Sequence, residues 1–213
     1  MDPIWVDLQV NGYAGVDFNA PGLTVDGVKA VTRRLASDGT AGYLPTFVTG
    51  DPGGEVYTAR TFSKHRYDSK VLSSYAHPVP VVDGQLQGTG RKFAAKIVRT
   101  DFTDAKDEIV FDLTAGYPVK TLKRLLRTFI FDRAAKRFTV RDEVEFSEPT
   151  AFAEAWISRD AKTLPKSLSS TGAWSTEPVY EKIENPGKAD VHRRLWSVSK
   201  PVTSATFEVS YEK

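Results

Sequence analysis

From residue 92 onward the hydrophobic positions of this chain fall at every second residue; before residue 50 they do not. The runs "KFAAKIVRTDF", "DEIVFDLT", "LKRLLRTFIFD", "KRFTVRDEVEF" and "ATFEVSYEK" each alternate apolar with polar side chains. That period sends one face of a strand into a core and the other into water. Turn clusters such as "DRAAK" and "SEPT" separate the runs. Successive antiparallel strands packed as a sandwich are therefore predicted. The polar stretch "TLPKSLSSTGAWSTEP" (163–178) reads as a long loop.

Residues 4–49 have a different texture. An extended run, Ile4 to Val10, precedes Val25, Val28, Val31 and Leu35 at helical spacing, and a second apolar run, "GYLPTFVT", follows. Thr24 suits an N-cap and Gly39 a C-terminal stop. Strand, helix and strand with short links make a βαβ unit. The two textures meet at "TGDPGG" (49–54). The expected organisation is a short piece over 1–50 and a sandwich over 51–213, mainly β overall.

Composition narrows the chemistry. The chain has 213 residues, a net charge of +2, three histidines and no cysteine. Without cysteine there are no disulfides, thiolate metal sites or cysteine nucleophiles. The charge is too mild to imply nucleic acid, and no apolar stretch approaches the ~18 residues of a membrane span. The N-terminus lacks the basic and apolar regions of a signal peptide, which predicts a cytoplasmic chain.

The opening carries a resemblance of its own. "VDLQVNGYAGVDFN" followed by "LTVDGVKAVTRRLASDGTAGYLPTFVT" resembles the start of N-acetylglucosamine-6-phosphate deacetylases, which are amidohydrolase-type barrels. In that family the first strand reaches the metal region, in one subgroup through Gln and Asn, and Gln9 with Asn11 match this version. The later ligands of that family have no counterpart here, and one βαβ unit is a small part of an eightfold barrel. Plain strand-end roles for Gln9 and Asn11 are expected.

The remainder resembles another family. "DPGG", "RYDSKVLSSYAHPVPVVDGQ" and "FTVRDEVEF" are similar to the β-sandwich part of heparinase II/III-like polysaccharide lyases, from about residue 51 to the C-terminus. Whole members place an α-helical toroid before the sandwich, and their full-length forms include exported proteins. The resemblance implies β-elimination next to a uronic acid. That reaction needs a tyrosine or histidine to move the proton and cationic groups to neutralise the carboxylate. It implies Tyr67 as a catalytic candidate and Asp51 with His77 as zinc ligands. The family's Gly-His-Asn-Asp-like segment should precede residue 51, yet no histidine occurs before residue 65.

Each candidate has a plainer reading. Asp51 before Pro-Gly-Gly suits a turn that caps its own backbone. His77 suits a packed, hydrogen-bonded histidine, and Asp51 with His77 falls short of the usual three or four zinc ligands. Tyr67 suits a sandwich-edge aromatic; His65 and His192 stand among bases, as surface residues do. Lys92 and Lys96 share one strand parity and would offer a basic face to an acidic polysaccharide, against a mixed surface as the alternative. Phe93, Phe111, Phe129, Phe131, Phe138, Phe146 and Phe152 read as core, and Trp156, Trp174 and Trp196 could include a sugar-stacking platform.

The sequence thus predicts a heparinase-like sandwich concerned with uronate-containing polysaccharide and not fully active alone. A glycan-binding or docking module that completes a split lyase with a toroid-bearing chain is the alternative, and deacetylase activity comes last. Oligomeric state and the origin of the join (fusion, chimera or misassembled frame) stay open. Because "AGYLPTFVTG" (41–50) is the apolar strand just upstream, it is expected to fill the sandwich position left by the missing segment, with Pro45 at an edge or bulge.

Overall fold

The structure, a computed structural model, describes residues 5–10, 12–18, 20, 22–45, 55–162, 165, 167–171 and 173–212. The chain divides into two compact units, Met1–Asp51 and Pro52–Lys213.

The first unit is built from β1 (Trp5–Val10), a small hairpin of β2 (Gly12–Tyr13) and β3 (Val16–Asp17), helix α1 (Val25–Ser37) and β4 (Thr40–Pro45). Ala14 and Gly15 both have positive φ, 51° and 85°, as a tight two-residue hairpin turn demands. Thr24 caps α1 by accepting from the Gly27 N–H at 3.1 Å, and Asp26 in the first turn favours the helix dipole. At the other end Gly39 takes φ +91° and donates to the Ala36 carbonyl at 3.2 Å. Much of the stripe read from the sequence is covered: Val31 and Leu35 pack on Phe18, with Val16, Leu23 and Val28 around them, while Val25 in the first turn is exposed. β4 pairs in parallel with β1, which completes the βαβ unit.

That pairing corrects one expectation. Thr40–Pro45 forms a two-stranded sheet with β1 and belongs to neither sheet of the sandwich. A parallel partner one helix away costs little loop entropy, so the local pairing wins. Residues 46–50 lie outside the described residues.

The second unit is a sandwich of two antiparallel sheets. Its strands are β5 (Pro80–Val82), β6 (Lys96–Phe102), β7 (Lys106–Asp112), β8 (Leu122–Asp132), β9 (Arg137–Thr150), β10 (Phe152–Ser158), β11 (Ser167–Thr171), β12 (Val179–Ile183), β13 (Val191–Ser197) and β14 (Val202–Glu212). The larger sheet runs β11-β14-β9-β8-β7-β6 and the smaller β12-β13-β10-β5. The five runs of alternating residues became β6, β7, β8, β9 and β14, all in the larger sheet. The stretch 163–178 is not wholly loop, since it contributes β11, paired to β14.

Between the sheets, Val82 and Phe152 from the smaller meet Leu125, Val144, Phe146 and Ala205 from the larger. Further along, Trp156 and Trp196 pack on Phe207 and Val209. Six strands face four, so part of the larger sheet's inner face is left open. Phe102, Asp107, Phe131, Phe138 and Tyr211 form one cross-strand row there, and its four aromatic residues are all exposed. Phe131 and Phe138, expected in the core, are therefore at its rim.

One charged group crosses the core. Arg127 on β8 grips Asp142 on β9 with Nε to Oδ1 at 2.8 Å and Nη2 to Oδ2 at 2.6 Å. Glu154 on β10 stands 3.5 Å from the same guanidinium. Burial, and then the Asp142 charge, push the Glu154 carboxyl well above its ordinary range, against the pull of Arg127. A group raised in the folded state stabilises fully below its unfolded value, about pH 4.3. That contribution is lost as pH rises through the folded value. Glu154→Gln keeps the shape and removes the titration. It is expected to raise the melting temperature at pH 7 by roughly 2–4 °C, the effect of about 1 kcal/mol in a domain this size. The gain should vanish below about pH 4; melts at both pH values check this.

Candidate functional site

The chain enters the sandwich through a segment without strands, 55–79, made of three short 3-10 turns: Ala59–Phe62, Arg66–Asp68 and Ser74–Ala76. Serine and threonine suit such turns because their hydroxyls bond nearby backbone. Ser73 does so by accepting from the Tyr75 N–H at 3.4 Å.

Buried polar anchors hold the segment. Glu55 accepts from Ser69 Oγ at 2.7 Å and Arg60 Nη2 at 2.9 Å. The Ser69 hydroxyl first, then Arg60, keep its carboxyl below the ordinary range despite burial. On β12, Glu181 accepts from Lys70 Nζ at 2.6 Å and from the Tyr75 hydroxyl. The Arg193 guanidinium lies 4.2 Å from the centre of the Tyr75 ring, and its Nε donates to the Tyr75 carbonyl at 3.0 Å. Val71 and Ala76 then pack on Ile183 and Val191. Arg127 Nη1 on β8 and the Tyr117 hydroxyl, in the connection before β8, each donate at 2.7 Å, to the carbonyls of Pro78 and Pro80.

With its inner side tied down, the segment turns aromatic and basic side chains outward. Tyr57 and Phe62 are 75% and 76% exposed, with ring centres 5.5 Å apart and planes tilted by 60°. Tyr67 is 51% exposed and the Arg66 guanidinium lies 5.9 Å from its ring. Lys64 and His65 are exposed beside them, and His65 Nδ1 lies 3.0 Å from Asp68 Oδ2. Exposed aromatic residues in one place mark a binding surface, and cations beside them favour an acidic ligand.

The residues singled out in the sequence separate here. Tyr67 belongs to this surface. His77 does not: its position at the end of the third turn is half-buried, and burial lowers its basicity, partly offset by a hydrogen bond to the backbone of Val71. Asp51 and Asn11 lie outside the described residues, and Gln9 is described only as backbone of β1. Among the described residues no cluster of three or more His, Asp or Glu could hold a metal ion.

Lys92 and Lys96 do not share a strand face. Lys92 sits in a turn against the Phe93 ring, 4.9 Å away, and β6 begins only at Lys96. A register shift between Ile97 and Arg99 then breaks the alternation beyond Lys96, because a bulge inserts one unpaired residue. Trp156 and Trp196 are buried and Trp174 packs on Phe152, 5.8 Å between centres, so none is a free stacking platform. Tyr57 and Phe62 were missed. Their signal was the interleaving of aromatic and basic residues in "YTARTFSKHRY".

No protein-family model matches the chain. In sequence it is similar to N-acetylglucosamine-6-phosphate deacetylase of Rattus norvegicus, 46% identical over 89 residues, 41% of this chain and 18% of that protein. The Homo sapiens protein of the same name is 45% identical over 56 residues, 26% and 13% of the two chains. In structure the chain is similar to the heparan sulfate lyase of Pedobacter heparinus, with a TM-score of 0.53 at 13% identity, covering 76% of this chain and 28% of that one. A lysine-methylated heparinase III gives a TM-score of 0.55 at 12% identity over 76% and 27%.

The first unit accounts for 51 of 213 residues, so the structural likeness lies chiefly in the sandwich. The sandwich has a heparinase fold. At these identities the likeness is one of fold alone. The chain spans less than a fifth of the deacetylases and little more than a quarter of the heparinases. Among the described residues no helix is long and apolar enough to cross a membrane.

Proposed function

We propose that this heparinase-fold sandwich binds acidic, uronate-containing polysaccharide without breaking it, as the wall of a site whose catalytic groups lie elsewhere. The observation that carries this is the outward set of Tyr57, Phe62 and Tyr67 with Lys64 and Arg66 on an anchored segment. Aromatic rings offer flat apolar faces to sugar rings, and the cations answer carboxylate or sulfate. Holding the backbone beforehand reduces the ordering cost of binding. Tyr67 acts here by contact.

The test is retention on immobilised heparin and on a neutral glucan. Binding to heparin alone, weakening with salt, is expected. Replacing both Tyr57 and Phe62 with alanine should weaken it roughly tenfold or more, taking ~1–3 kcal/mol for a stacked ring. The chain should also fail to generate the ultraviolet absorbance of an unsaturated uronate. Equal binding to the neutral glucan, or turnover of heparin, would overturn the proposal.

A further inference from the structure

Two buried donors without acceptors lie on neighbouring strands of the smaller sheet. Trp156 on β10 and Arg194 on β13 are direct cross-strand partners, so their side chains leave the same face. They are 6% and 8% exposed. Trp156 Nε1 and Arg194 Nη1 are both buried, and neither has a hydrogen-bond partner among the described residues. An indole N–H and a guanidinium can only donate. Leaving such groups buried and unpaired is unfavourable, most of all for the charged one.

The surroundings narrow what would satisfy them. Arg194 Nη2 donates to the Ala161 carbonyl, and its guanidinium lies 5.2 Å from the centre of the Tyr180 ring. Trp156 stacks on Tyr211 with centres 4.9 Å apart. Tyr180 in turn bonds His192 Nδ1 at 2.7 Å. Glu154 shares the face two residues before Trp156, with burial favouring its neutral form, and the Arg127 charge is answered by Asp142. Among the described residues no carboxylate forms an ion pair with the buried Arg194. A water molecule would accept from these N–H groups but would leave that charge uncompensated.

We propose that Trp156 and Arg194 form a binding site for an oxyanion, the carboxylate or sulfate group of an acidic sugar. The choice of a sugar rests on the polysaccharide reading above; the oxyanion chemistry does not. Tyr180, over Arg194, and Tyr211, stacked on Trp156, are partly exposed, and the oxyanion would enter past these two rings. Moving Tyr180 aside breaks its exposed bond to His192 and its ring contact with Arg194.

Indole N–H resonances of the full chain test this directly, because it has four tryptophans and Trp156→Phe identifies the signal. Sodium glucuronate, sodium sulfate and glucose are titrated separately at constant ionic strength. The Trp156 signal should move and saturate with glucuronate, sulfate or both, the responding salt naming the source, and not with glucose. Arg194→Lys keeps the charge but loses the planar fork and should weaken binding roughly tenfold or more. Should that variant not fold, Trp156→Phe serves instead, with the Arg194 side-chain resonance as readout and a smaller loss expected.

A signal that stays still, drifts without saturating, or moves equally in Arg194→Lys overturns the site. The heparin column separates this from the polysaccharide reading. Retention with an unmoved indole defeats the oxyanion site alone, and saturation without retention defeats the polysaccharide reading alone.

Discussion

Replacing Arg127 with alanine is expected to cost the sandwich ~3–5 kcal/mol, because it leaves a buried carboxylate without its counter-charge. Asp142 is only 2% exposed and accepts from both Nε and Nη2 of the guanidinium. Urea unfolding of the full chain, followed by tryptophan fluorescence, reads the loss as a lower midpoint at an unchanged slope. Replacing Arg127, Asp142 and Glu154 together with apolar residues of similar volume should cost far less, since no charge then remains to be solvated. The single variant should also weaken heparin binding beyond its effect on stability, because Arg127 Nη1 holds the Pro78 carbonyl. A loss below about 1 kcal/mol, the range of a solvated surface pair, would show that water reaches the cluster.

Phe152→Ala should be nearly as damaging, at ~3–5 kcal/mol for a large buried aromatic ring. Phe152 is 1% exposed and its ring centre lies 6.1 Å from Phe146 and 5.8 Å from Trp174. Removing it opens a cavity between the sheets where rigid strands cannot close in. Phe131→Ala is the control: the same truncation at the open rim should cost much less, because that ring already meets water. Equal midpoints for the two variants would mean that the six-over-four arrangement does not leave the rim exposed.

Much of the larger sheet was legible in the chain. Its central strands β8 and β9 mix exposed with buried positions, which imposes the alternation seen in "LKRLLRTFIFD" and "KRFTVRDEVEF". The smaller sheet was harder to read. β10, "FAEAWIS", is buried on both faces at most of its positions and so loses its polar phase, while β5 is only three residues long. β11 was hidden for another reason. Its residues, "SLSST", have the composition of a loop, and it is a strand because β14 offers it an edge.

The candidate surface was only half legible. Tyr67 was found through resemblance, but Tyr57 and Phe62 are aromatic residues that the alternation rule consigns to a core. Only a backbone pinned from inside by Glu55, Glu181 and Arg127 turns them out. The shared parity of Lys92 and Lys96 failed because Lys92 lies in a turn before β6 begins, and a turn residue follows no strand period.

What the sequence by itself determined are the local matters: the capped helix with its apolar stripe, the two textures meeting near residue 50, and the alternating strands of the larger sheet. These follow from periods and caps that act over a few residues. Only the tertiary structure decided that β4 pairs with β1, that Arg127, Asp142 and Glu154 converge, and that Trp156 and Arg194 share a face. Those facts depend on register between strands far apart in the chain. A shift of one residue would send every one of these side chains to the opposite face.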